Sequence, residues 1–237
     1  MNTCSPNRKD SYNYNYQKHE PSGFCFYLKG VEGTKFKPIT YTKNKESDDV
    51  AKIFVEKLTE VTRSIYNDFY RRPKPLRLTN AEQKSFDEAE ICHVCKKELL
   101  TDNGVDKVRD HCHFTGKYRG AAHNSCNLKC RKPKVLPVIF HNLQGYDAHL
   151  FIKQLASLTG ELNCIPSTEE KYISFSKDIK VDEYKCFKTG KMIPINFEIR
   201  FIDSFKFLQT SLANLVSNLQ PDDFHNTKQV FKENVEL

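Results

Sequence analysis

The sequence predicts an α+β protein, in which strands and helices alternate along 237 residues, with a small zinc-stabilised ββα module set into its middle. Three observations carry that expectation. GFCFYL and KPITYT, residues 23–28 and 37–42, read as two strands joined by a turn. Val50, Ile53, Phe54, Leu58, Val61, Ile65 and Phe69 recur at helical spacing behind Ser47, which offers an N-cap. Between residues 81 and 134 the composition changes to Cys, His and basic residues.

The remaining elements follow in order. RRPKP, residues 71–75, ends the long helix and begins a linker. LPVIF, residues 136–140, reads as a buried strand, and residues 148–158 as a helix stopped by Gly160. Residues 171–175, 191–197 and 198–202 read as strands, with a Lys188-Thr189-Gly190 turn before the second. Residues 212–219 read as a short helix capped by Thr210 or Ser211, and the tail after Pro221 as polar and frayed. The expected domains are 1–80, 81–134 and 135–237.

Hydrophobic content of 38% with 28% charged residues fits a soluble globular chain. No run approaches the ~18 apolar residues of a membrane span. The polar start, MNTCSPNRKDSYNYNY, is not a secretory signal. The cysteine count of 9 is odd, so a reducing intracellular compartment is expected rather than a disulfide scaffold. Nucleus and cytoplasm are not distinguished. The formal charge of +7 is unevenly placed: Lys107, Arg109, Lys117, Arg119, Lys129, Arg131, Lys132 and Lys134 stand against Asp110 alone. Such a block beside His and Cys clusters points to a phosphate backbone.

Two halves of a metal site are visible, C-H-V-C at 92–95 and H-N-S-C at 123–126. Two intervening residues make a turn that brings both ligands of a half to one tetrahedral ion, and thiolates with imidazole suit zinc. Cys92, Cys95, His123 and Cys126 are the expected ligands. Cys112 or Cys130 could replace His123, but only His123 completes a second two-residue-spaced half. Alternation along a hairpin strand would put His111 and His113 on one face, with Asp110 and Cys112 on the other. Asp110, His111 and Asn127 are not required by zinc. A carboxylate and an amide oxygen can bind Mg²⁺, and an imidazole can take a proton from water. The alternative is that Asp110 only orients His111.

C-x2-C, D-H-x-H-x-T-G-K-x-R-G and H-x2-C-N together resemble the zinc module of the recombination endonuclease seven group, a branch of the His-Me finger nucleases. The resemblance implies structural Zn²⁺ on Cys92, Cys95, His123 and Cys126, with His123 replacing a family Cys. It implies a catalytic Mg²⁺ on Asp110 and Asn127, with His111 as general base. Lys117, Arg119, Arg131 and Lys132 are expected on DNA. Cys112 and Cys130 stand where that family carries acids.

Residues 138–155, VIFHNLQGYDAHLFIKQL, place Asn142 and Asp147 between a strand and a helix. Asp147 there is first of all a helix cap. The pattern F-H-N-L-x2-Y-D-x3-F resembles the second exonuclease motif of protein-primed family B DNA polymerases, Maverick-like elements included. YQKHEPSGFCFYLK, EEKYISF and RFIDSFKFLQTSL resemble further segments of that region. The resemblance implies an RNase H-like mixed sheet interrupted by the zinc insert. It places metal at Asp147 and single-stranded DNA at Asn142, His141, Tyr146 and Ser204. No D-x-E occurs, and no Tyr follows Tyr184. On this reading the chain is a DNA-binding fragment of a polymerase, inactive alone as a polymerase and partnered by the rest of one. The alternatives are an active His-Me finger endonuclease and a non-catalytic zinc-dependent binding protein.

Overall fold

A computed structural model of the chain describes residues 19–30, 36–99, 106–130, 133–166 and 172–230. Strands β1 (Gly23–Phe26) and β2 (Ile39–Thr42) pair antiparallel, as their alternation predicts. Helix α1 spans Val50–Ile65 and continues as a π-helical turn, Tyr66–Tyr70. Its cap is Asp49, whose carboxylate accepts from the Lys52 N–H at 2.9 Å, and not Ser47. A carboxylate immediately before the first helical residue satisfies an orphan N–H and meets the positive end of the helix dipole. The buried stripe of α1 is Val50, Ala51, Phe54, Val55, Leu58, Thr59 and Thr62. It is rotated from the predicted one, leaving Ile53, Val61 and Ile65 half-buried. The two threonines can be buried because their hydroxyls donate to the carbonyls of Val55 and Leu58, at 2.8 and 2.7 Å.

The largest sheet has the order β5-β8-β7-β6. Strand β5 (Val135–Phe140) is parallel to β8 (Met192–Asp203); β8–β7 (Tyr172–Lys185) and β7–β6 (Leu162–Pro166) are antiparallel. The sheet is mixed, as expected, but among the described residues no sheet closes in an RNase H-like form, and β1–β2 remains a separate hairpin. The two strands expected at 191–197 and 198–202 are one continuous strand, β8. Helix α4 (Asp147–Ser157) lies with α1 over this sheet. Phe54, Phe151, Phe175, Ile199 and Phe201 form the centre of the core, and Phe24 and Phe26 pack edge-on against Phe54.

Lys177 on β7 is 1% exposed, and its ammonium donates to the carbonyls of Leu158 and Gly160 at 2.6 and 2.8 Å. A buried cation thus takes the orphan carbonyls where α4 ends. Gly160 has φ +112°, and a Cβ there would strike the Asp178 carbonyl oxygen, so only glycine fits. Helix α5 is Leu212–Val216, capped by Ser211. The segment expected to be frayed instead forms a 3₁₀ turn, Pro221–Phe224, and helix α6, His225–Val230. A capping interaction of Asp223 with the Gln220 N–H, at 2.9 Å, starts the turn.

The middle of the chain builds a second, smaller core. Helix α2 (Asn80–Asp87) precedes the antiparallel hairpin β3 (Lys107–His111) and β4 (Tyr118–His123), and helix α3 (Asn124–Lys129) follows. Phe86, Cys92, Leu99, Ala121 and Ala122 are packed together. Arg109 and Lys107 lie over the Phe86 ring, at 4.2 and 4.8 Å from its centroid. Two members of the basic block are therefore engaged within the molecule. Among the described residues no helix is long and apolar enough to cross a membrane.

Candidate metal centre and adjoining cleft

The ligand atoms of Cys92, Cys95, His123 and Cys126 all lie within 4.8 Å of one another. Cys92 and Cys95 bracket a tight turn, His123 ends β4, and Cys126 sits in the first turn of α3. His123 Nδ1 faces the sulfurs of Cys95 and Cys126 at 3.5 and 3.8 Å. Its Nε2–H donates to the Glu98 carbonyl at 2.9 Å, which leaves the Nδ1 lone pair for a metal. Cys92 is wholly buried. Burial opposes its ionisation, but the backbone N–H groups of Cys95, His123 and Val94 outweigh it and bring the thiol to about 6. Cys126 is pushed up, by burial and then by the thiols of Cys95 and Cys92. Crowded thiols with one imidazole are the donor set of a structural zinc site. Cys112 and Cys130 are not part of the cluster, and every cysteine among the described residues is a free thiol.

His93, between the first two ligands, reaches the hairpin. Its Nε2 is 2.8 Å from Asp110 Oδ2, and Arg119 donates to Asp110 Oδ1 at 2.6 Å. Asp110 is 1% exposed. Gly120 (φ +152°) makes room for this contact: a Cβ there would come within 2.8 Å of His93 Cβ and Cγ. The His93 role has no signal in the ligand motif, because the residue reads only as a spacer.

His111 and Asn127 line one cleft of about 440 Å³ with His113, Arg119, Cys112, Cys130 and Lys134. A bulge after Asp110 separates it from His111; the His111 and His113 rings lie 4.8 Å apart, but His113 is already in the turn and Cys112 lines the same cleft, so the alternation expected of a longer strand does not extend past His111. Asp110 does not line the cleft, and among the described residues no other carboxylate does. Lys117 is exposed after the turn, directly before β4. Arg131 and Lys132 lie outside the described residues.

The second constellation gathers where β5 and β8 end side by side. Asn142 is left-handed, φ 63°, and exposed. Its N–H, with those of Gln144 and Phe205, is bound by the Asp203 carboxylate at 2.8, 3.1 and 3.0 Å. Burial would raise Asp203, but these N–H bonds win and hold its carboxyl below the ordinary value. His141 Nε2–H donates to the Thr210 carbonyl at 2.9 Å, so Nδ1 accepts from the buried Ser204 hydroxyl at 3.0 Å. Tyr146 is 46% exposed, with its hydroxyl 2.6 Å from His19 Nδ1. Asp147 opens α4 beside an apolar pocket containing Phe24, Phe54 and Phe140. Burial, and then the charge of Asp203, push its carboxyl up. Asp203, the clasp of this region, was not among the expected site residues.

A hairpin, a following helix and a pinned thiol–imidazole cluster together form a ββα module of the zinc-binding kind. The family model described as recombination endonuclease VII matches residues 70–143, about a third of the chain. Over that segment the chain is similar to a His-Me finger, endonuclease VII-like domain. No curated protein and no solved structure matches the chain.

Proposed function

We propose that the chain acts on DNA as an endonuclease of the His-Me finger type. The observation that carries this is the meeting of His111, from the end of β3, and Asn127, from α3, in one cleft with Arg119 and Lys134. His111 takes the proton from a water whose oxygen bonds to the phosphorus, while the P–O bond to the leaving sugar oxygen breaks and that oxygen takes a proton from solvent. Arg119 and Lys134 hold the phosphodiester and balance the charge that grows on its oxygens. Asn127 orients the substrate. Lys117 adds an exposed cation before β4, and Arg131 and Lys132 add positive charge to the sequence that follows α3. The Mg²⁺ role expected of Asp110 does not fit the residues as placed. Asp110 is 1% exposed, does not line the cleft, and has His93 and Arg119 on its two oxygens, so it presents no open ligand toward the cleft.

The test uses the full chain with single-stranded, duplex and branched DNA, with and without added divalent metal. Cleavage that falls roughly 10²- to 10⁴-fold in His111→Ala, with binding kept, supports the assignment. Salt-sensitive binding without cleavage under any condition leaves a non-catalytic binding module. Absence of binding overturns the proposal.

A second reading rests on the convergence of Asn142, Tyr146, Asp147 and Ser204 at the ends of β5 and β8. It holds that residues 1–80 and 135–237 derive from the exonuclease region of a protein-primed family B DNA polymerase, with the zinc module inserted between. Of the two carboxylates there, Asp203 is occupied by the N–H groups of Asn142, Gln144 and Phe205, which leaves Asp147 alone, so the reading assigns contact with single-stranded DNA and no hydrolysis. Flanking genomic sequence with an upstream D-x-E and downstream polymerase motifs supports it; flanks without either overturn it.

A further inference from the structure

The cleft has walls that phosphodiester chemistry does not use. Phe69 and Tyr70 enter it from the π-helical turn, and Phe114 from the hairpin loop. The Phe114 ring meets Phe69 at 5.7 Å and 74°, and Tyr70 at 5.1 Å and 64°. Tyr70 is fixed from behind: its ring stands edge-on to Phe197 at 5.0 Å, and its hydroxyl donates to the Pro133 carbonyl at 3.0 Å. Phe69 and Phe114 are only half-buried. Half-buried aromatic surface thus lines the cleft beside Arg119 and Lys134, and no acid among the described residues lines it. Arg119 gives Asp110 only part of its donor fork.

We propose that this cleft binds one unpaired nucleobase of a single-stranded nucleic acid, with the base against Phe69 and Phe114 and its phosphate at Arg119 and Lys134. The inference rests on the nucleic-acid reading above and names the part of the ligand that enters. Every base has a π face, so an aromatic wall beside cations takes any base with little sequence preference. A base inside a duplex is already stacked and must leave the helix before it can enter. The cleft's volume, about 440 Å³, lies in the range of small-ligand sites.

The chain contains no tryptophan, so 2-aminopurine fluorescence is read without protein background from that source. The full chain is titrated into a single-stranded oligonucleotide carrying 2-aminopurine, its duplex form, and an abasic oligonucleotide of equal length, while anisotropy reports binding. The expected result is a changed 2-aminopurine signal for the single strand only, and weaker binding of the abasic strand. Phe114→Leu and Phe69→Leu weaken single-strand binding roughly 5- to 100-fold, with duplex binding and zinc content unchanged. Equal binding of base-bearing and abasic strands by the wild-type chain overturns the inference while leaving the nucleic-acid reading standing. No anisotropy change with any probe overturns both.

Discussion

Arg119 closes over Asp110, its guanidinium 2.6 Å from a carboxylate that is 1% exposed. His93 completes the enclosure from the metal-ligand turn at 2.8 Å. The residue that the family resemblance assigns to a catalytic ion is thus held as a structural anion.

Removing Arg119 should therefore strand a buried charge. Arg119→Met is expected to cost about 2–3 kcal/mol, less than a fully buried pair because the arginine itself is 35% exposed. Asp110→Leu with Arg119→Met should cost clearly less than the sum of the single changes. Urea denaturation of the four proteins in this cycle measures it, and additive single effects would show that the two residues do not act as a pair.

Zinc content separates the ligands from the other cysteines. Cys92→Ser and His123→Ala should each lower bound zinc well below one equivalent and make the hairpin segment sensitive to protease. Cys130→Ser should leave zinc in place, since that thiol lines the cleft and not the cluster. Metal analysis of the purified variants decides this, and a full equivalent in Cys92→Ser counts against the site.

Asp203→Asn replaces an acceptor of three backbone N–H groups with a side chain that must turn a donor toward one of them. A loss of about 2–3 kcal/mol is expected at neutral pH. The folded carboxyl lies below its ordinary value. Its contribution is therefore present above the unfolded pKa of about 3.9, and is lost as pH falls through the lower folded value. Stability curves of the two proteins should converge in that acid window. A constant gap down to pH 2 would rule out ionisation as the source.

What could be read from the sequence depended on the range of the physics. Cys92, Cys95, His123 and Cys126 were legible because ligand spacing is local and residue-specific. The strands at 23–26 and 135–140 and the helix at 147–157 were legible from period and punctuation. Helix α2 was overlooked despite a readable signal, the Thr79–Glu82 capping box, which the Cys-rich composition masked. Strand β6 gave none, being a short and largely exposed edge. Asp203 was hidden for another reason: two of its partners are backbone groups some sixty residues away, and backbone groups carry no residue type. Thr59 and Thr62 look polar in sequence, and only the helix gives their hydroxyls an internal acceptor.

Gly120 carries a consequence for how this domain can vary. Because His93 lies against its bare Cα, the length of the ligand turn and the identity of a residue on the opposite strand are tied together. A single methyl at Gly120 would act as a wedge, driving the imidazole from Asp110 and tilting the turn that carries Cys92 and Cys95. Drift at position 120 is thereby constrained by metal retention, although glycine itself donates nothing to the ion.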